Sequence, residues 1–82
     1  MRIVWDERKR IANIEKHDLD FDDLSEEFFL SAVTVPAKHG RQKAIGRLHN
    51  GVIAAIFLTL GLQGLSVISM RPARRDERKL IE

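Results

Sequence analysis

The side chains of this chain best suited to chemistry are its arginines. Arg71, Arg74, Arg75 and Arg78 crowd the point where an apolar run gives way to a charged one. Arg41 and Arg47 stand six residues apart in an alternating stretch, so on a strand both face one side of a sheet. Guanidinium forks match phosphate oxygens, and a helix start among them adds backbone N–H donors and a positive dipole end. Such a set suits RNA cleavage without a metal. There the 2′-hydroxyl attacks its neighbouring phosphate, and the protein stabilises the phosphorane while two protons move. The competing reading is a solvated basic surface, with Arg78 pairing to Asp76, Glu77 or Glu82 along one helix.

The base for such a reaction does not declare itself. A lysine is protonated at neutral pH unless its pKa is depressed. His17, His39 and His49 share no ligand-like spacing; His39 is the best placed of them, in a loop beside Lys38 and Arg41. Trp5 could stack on a base, with burial in the core as the competing role. There is no nucleotide-binding glycine motif, no recognised metal spacing, no cysteine and no serine in an elbow-like turn.

Periodicity supplies the elements that must position these residues. Arg2–Trp5 reads as a short strand, and Asp6 as the N-cap of a helix over residues 7–17 with Ile11 and Ile14 on its apolar stripe. Lys16 and His17 fall in the last turn, where cations suit the macrodipole, and Asp18 follows where Gly or Asn would stop the helix more easily. Asp20 is expected to cap a second helix, with Phe21, Leu24 and Phe28 packing inward and Asp22, Asp23, Glu26 and Glu27 solvated. Strands follow at 32–35, 41–49, 52–60 and 65–71, with a loop at 37–40 and an Asn50-Gly51 hairpin turn. Pro72 suits the first turn of a closing helix over Ala73–Ile81. The order β-α-α-β-β-β-β-α predicts an α+β domain, a small antiparallel sheet with helices packed on one side.

Composition bounds the rest. Eighty-two residues, 44% of them apolar, make one domain near the size where a single core only just suffices. The net charge of +2 hides an asymmetry: residues 1–30 hold five bases and nine acids, residues 31–82 nine bases and three acids. A positive half beside a negative half suggests an anionic partner for one and a cationic partner for the other. The absence of Cys fits a reducing compartment, and the charged stretch Met1–Arg10 has no apolar segment of a secretory signal. From Leu48 to Met70 no residue is charged, enough to mimic a membrane span. The Asn50-Gly51 signal and the Gly61–Gly64 break instead favour two paired strands.

The residues also carry a family resemblance. Val4-Trp5-Asp6-Glu7-Arg8-Lys9, Asn13-Ile14-Glu15-Lys16-His17, Phe21-Asp22-Asp23-Leu24, and Val67–Ala73 followed by Glu77-Arg78 resemble the signature of the BrnT toxins across nearly the whole chain. The resemblance implies a single 1–82 domain with a RelE-like fold. It implies a ribonuclease toxin of a type II toxin–antitoxin pair that cleaves RNA without metal or cofactor and so inhibits translation and growth. The implied partner is a BrnA-like ribbon-helix-helix antitoxin, through which alone operator DNA is reached; a homodimer or heterotetramer and a cytoplasmic location fit the same picture. Catalytic roles fall on Lys38, Arg41 and Arg71, RNA binding on Arg47, Arg74, Arg75 and Trp5, with Thr59 and Ser69 as polar neighbours. Three positions depart from the family pattern: Asp18 replaces a glycine, Leu60-Gly61 follows Thr59 where a basic residue is usual, and Leu80-Ile81 replaces an aromatic. A second reading therefore accompanies the first, a catalytically weak or inactive module that binds its antitoxin and acts in operon autoregulation.

Overall fold

The structure, a computed structural model, describes residues 1–49 and 51–82. Its elements are β1 (Arg2–Trp5), α1 (Glu7–His17), a 3-10 turn (Phe21–Asp23), α2 (Glu26–Ser31), β2 (Val33–Pro36), a second 3-10 turn (Lys38–Gly40), β3 (Gln42–Leu48), β4 (Gly51–Leu60), β5 (Gly64–Pro72) and α3 (Arg75–Arg78). The five strands form one sheet in the order β1-β5-β4-β3-β2. β2 to β5 run as the expected antiparallel meander, and β1 joins it parallel to β5. The long uncharged run is β4 and β5, and among the described residues no helix is long and apolar enough to cross a membrane.

Local chemistry accounts for most of the boundaries. The Asp6 side chain accepts from Arg8 N–H at 2.8 Å and starts α1. Asp18 ends it in the left-handed region at φ 57, doing the work a glycine would do more cheaply. The second helix differs from expectation. Asp20 caps only the 3-10 turn, accepting from Asp22 N–H at 2.9 Å, and Leu24 is extended. Ser25 then caps α2, accepting from Phe28 N–H at 3.2 Å. Two short turns thus deliver Phe21, Leu24 and Phe28 to the core where one helix was predicted. In the β3–β4 connection Leu48 pairs with Gly51 and His49 takes φ 43; Asn50 of the predicted turn lies outside the described residues.

The core lies between this helical layer and one face of the sheet. Phe21, Leu24, Phe28 and Phe29 pack on Ala44, Ala55, Phe57, Leu65, Val67 and Met70. Phe29 meets Phe28 and Phe57 edge-on, with ring centroids 5.2 and 5.3 Å apart. A Cβ at Gly46 would stand 3.0 Å from the Phe28 ring, so β3 passes beneath α2 only because it carries hydrogen there. α1 lies along β5. β1 ends opposite Val67, and beyond it the Asn13 side chain takes over the edge, accepting from Met70 N–H at 3.0 Å and donating to Leu19 O at 2.9 Å.

The C-terminal segment departs further from the predicted helix at 73–81. Pro72 ends β5 and does not open a helix, because Ala73 N–H stays bonded to Val52 O at 2.9 Å and keeps the chain extended. Only Arg75–Arg78 is helical, and this short turn lies on the opposite face from α1 and α2. Strand alternation puts Lys43, Ile45 and Arg47 on that face, and Glu77 bonds Lys43 while Arg47 reaches Ile81 O. The segment therefore crosses over Ile45 and Ala54, both fully buried.

Candidate active site

Beside that crossing, the same sheet face opens into a cleft of about 630 Å³. The β2–β3 connection forms one wall with Pro36, Ala37, Lys38, His39 and Arg41. Lys43 and Ile56 form the floor, and Arg71 and Arg74 the far wall. The loop is closed by Ala37 N–H donating to Arg41 O at 2.9 Å. Within it His39 and Gly40 are both left-handed, at φ 61 and 72. That conformation costs a histidine energy, and here it places the imidazole among the cleft-lining groups.

Under the cleft lies Glu77, only 3% exposed. Its carboxylate accepts both arms of Arg71, at 2.7 and 2.9 Å, and Arg74 N–H at 2.8 Å, and it pairs with Lys43 Nζ at 2.6 Å. The Arg71 hydrogen bonds chiefly, then Arg74 N–H and Lys43, hold this carboxyl far below the usual carboxylate range despite its burial. The same pair raises the Arg71 pKa above its ordinary value. So firmly ionised a group, with both oxygens engaged, is a poor proton acceptor. Its work is to draw two like charges from β3 and β5 together at the floor. Five Lys and Arg side chains line the cleft against this single buried carboxylate.

Of the residues singled out in the sequence, the cleft gathers Lys38, Arg41, Arg71 and Arg74. It does not gather the other three. Arg47 faces the same side of the sheet as Arg41, but the C-terminal segment crosses Ile45 between them, and Arg47 emerges beyond it with Nη2 3.5 Å from Ile81 O. Arg75 is exposed on α3 outside the lining. Trp5 pairs with Val67 on the helical face and meets the Phe21 ring edge-on at 6.2 Å, so it is a core residue and offers no platform to a base. Thr59 lies beyond the cleft near Met1 and Leu62, while Ser69 lies in a neighbouring depression.

Two expectations for the final helix are corrected. Its start is not a free anion site, since Glu77 already accepts from Arg74 N–H. Arg78 does not pair with Asp76, Glu77 or Glu82; its Nη1 donates to Ala73 O at 3.3 Å. Lys43 and Glu77 are the site residues that sequence reasoning missed. The parity of β3, which puts Lys43 on the same side as Arg41 and Arg47, was the available signal for the first. Nothing local announced the second.

Residues 5–77 match the family model described as ribonuclease toxin, BrnT, of type II toxin–antitoxin system. Curated proteins yield no match. Among solved structures, the chain is similar to the crystal structure of the Brucella abortus ribonuclease toxin, BrnT, at 54% identity and a TM-score of 0.84. That likeness covers 92% of this chain and 99% of the other. With a family model across most of its length and a relative this similar, the chain belongs to the BrnT family of ribonuclease toxins of type II toxin–antitoxin systems.

Proposed function

We propose that the cationic cleft is where RNA is cut, and that the cut is a transphosphorylation needing no metal. The observation that carries this reading is the convergence of Lys38, Arg41, Lys43, Arg71 and Arg74 around one opening. Fixed positive charge aimed at a pentacoordinate phosphorane stabilises the transition state more than the less charged ground state. His39 takes the proton of the 2′-hydroxyl as O2′ bonds to phosphorus. The P–O5′ bond breaks, and the leaving oxygen takes a proton from the Lys38 ammonium. The products are a 2′,3′-cyclic phosphate and a 5′-hydroxyl, and solvent resets both side chains. His39 is assigned as base because its imidazole lines the cleft and a neutral ring nitrogen offers a lone pair to the 2′-hydroxyl proton, which the cleft's ammonium and guanidinium groups lack.

A chelator assay tests this. Purified protein with an RNA oligonucleotide and EDTA should give cyclic-phosphate ends, and His39→Gln should lower kcat about 100-fold, within the usual range for a lost acid–base group. Arg41→Glu should abolish cleavage. It is a better probe than Arg71, whose charge reversal would also set a carboxylate against buried Glu77. Cleavage that stops with EDTA and returns with magnesium would overturn the metal-free reading.

The antitoxin of this toxin is proposed to be BrnA-like, to neutralise it by covering the cleft in the cytoplasm, and to carry the DNA contacts of operon control. Next to the cleft the same sheet face is uncovered along Val4, Leu58 and Leu60. An antitoxin segment with apolar anchors and a carboxylate would suit this face, as the chain's own Ala73 and Glu77 suit the other half. One observation favours the second reading, of a weak or inactive module: Arg71 and Lys43 are already partly neutralised by Glu77. Soluble protein that binds antitoxin but neither cuts RNA nor arrests growth would establish it.

A further inference from the structure

We infer that the RNA path does not end at the cleft but continues over α1, where Lys9, Lys16 and His17 form a second subsite for the phosphates of a single strand. This rests on the cleft being the cutting site. A second depression, of about 550 Å³, adjoins the cleft and shares Arg71 and Arg74 with it. Its other lining comes from α1, through Lys9, Ala12, Asn13, Lys16 and His17, and from Ile68 and Ser69 of β5. Lys9, Ala12, Asn13 and Lys16 follow the spacing i, i+3, i+4, i+7 that makes one helical face.

The charges of α1 sort by face in a way that helix stability does not explain. Arg8 pairs with Asp6, and Arg10 with Glu7 and Asp20. Lys9 and Lys16 have no carboxylate partner among the described residues, and both are exposed. Lys16 and His17 in the last turn complement the macrodipole, but Lys9 sits in the first turn, where a cation opposes it. An unpaired cation kept at an unfavourable helix position, on the face shared with two cleft arginines, is accounted for by an anionic ligand. The two lysines lie about 10 Å apart along the axis, enough to follow consecutive phosphates. Ala12 between them leaves the floor open to a backbone, and Ser69 offers a hydroxyl beside it.

The experiment compares wild type with the Lys9→Glu/Lys16→Glu double variant on a four-nucleotide and a twelve-nucleotide RNA carrying the same cleavage site. Binding of a 2′-deoxy version of the longer strand, which cannot be cut, is followed by anisotropy against salt. The variant should raise KM about tenfold on the long substrate, with kcat within about twofold, and leave the short substrate unchanged. On the deoxy strand its affinity should fall and its log–log salt slope should flatten by about 0.7 per lysine. An unchanged KM and salt slope, or an equal loss of kcat on both lengths, would overturn the subsite. If wild type cuts neither RNA, the cleft reading fails, while the deoxy-strand binding still decides the subsite by the same criteria.

Discussion

Glu77 governs the site at the level of single residues. Among the described residues it is the one carboxylate paired with the cleft's cations, and removing it would leave Arg71 and Lys43 facing each other half-buried. Breaking such a pair costs about 3–5 kcal/mol. Glu77→Gln keeps the shape and loses the charge, so it should lower the urea midpoint while Glu82→Gln, on an exposed residue, leaves it unchanged. The pH dependence has a definite sign. The carboxyl is far more acidic folded than at its ordinary value of 4.5, so the folded chain binds fewer protons than the unfolded one in acid. Its contribution is fully present above about pH 4.5 and declines as pH falls towards the folded value. Urea midpoints from pH 6 to pH 3 should therefore fall more steeply for wild type than for Glu77→Gln; parallel curves would contradict this.

At the scale of elements, the sheet was more legible than what covers it. β1 and α1 are bounded as Asp6 and the strand pattern imply, because an N-cap and a two-residue period are local signals. The helix after Asp20 was not, because Asp20 and Ser25 are both good caps, and Phe21, Leu24 and Phe28 point inward equally well from one helix or two turns. α3 failed for a different reason. Its charge pattern suits a longer helix, yet Ala73 is held by β4 and Glu77 is drawn beneath the sheet face by Lys43 and Arg71, partners far away in sequence. The same long-range contacts hid half the site. Lys38, Arg41, Arg71 and Arg74 could be named from residue type, but not which of the basic residues would share a wall. Asn13 is a comparable device between α1 and β5. Asn13→Ala should cost about 1–3 kcal/mol, since Met70 N–H would be left buried without an acceptor. Faster hydrogen exchange at Met70 is the check.

Over the whole molecule, charge and apolar surface divide the labour. The cationic cleft and the α1 depression meet on one side, while of the exposed apolar residues Leu62 sits in the β4–β5 turn near Leu30 and Met1, and Leu60 ends β4 beside Val4. Leu62 is fully exposed, an unusual place for a leucine in a chain with so small a core. Leu60→Asp/Leu62→Asp should weaken antitoxin binding at least tenfold by calorimetry, about 1.4 kcal/mol, and leave RNA cleavage unaltered. Equal affinity would place the antitoxin elsewhere.

The parallel pairing of β1 with β5 has a consequence for how this toxin comes into being. Arg2 pairs with Gly64, so β1 finds its place in the sheet only after β5, some sixty residues later, has been made. Arg71, Arg74 and Glu77 come later still, while the loop bearing Lys38 and Arg41 has long been waiting. Contacts so distant in sequence form late and slowly. A chain that stops before Arg71 therefore holds one wall of the cleft without the other, and the cationic site is complete only once β5 and the segment bearing Glu77 have joined the sheet.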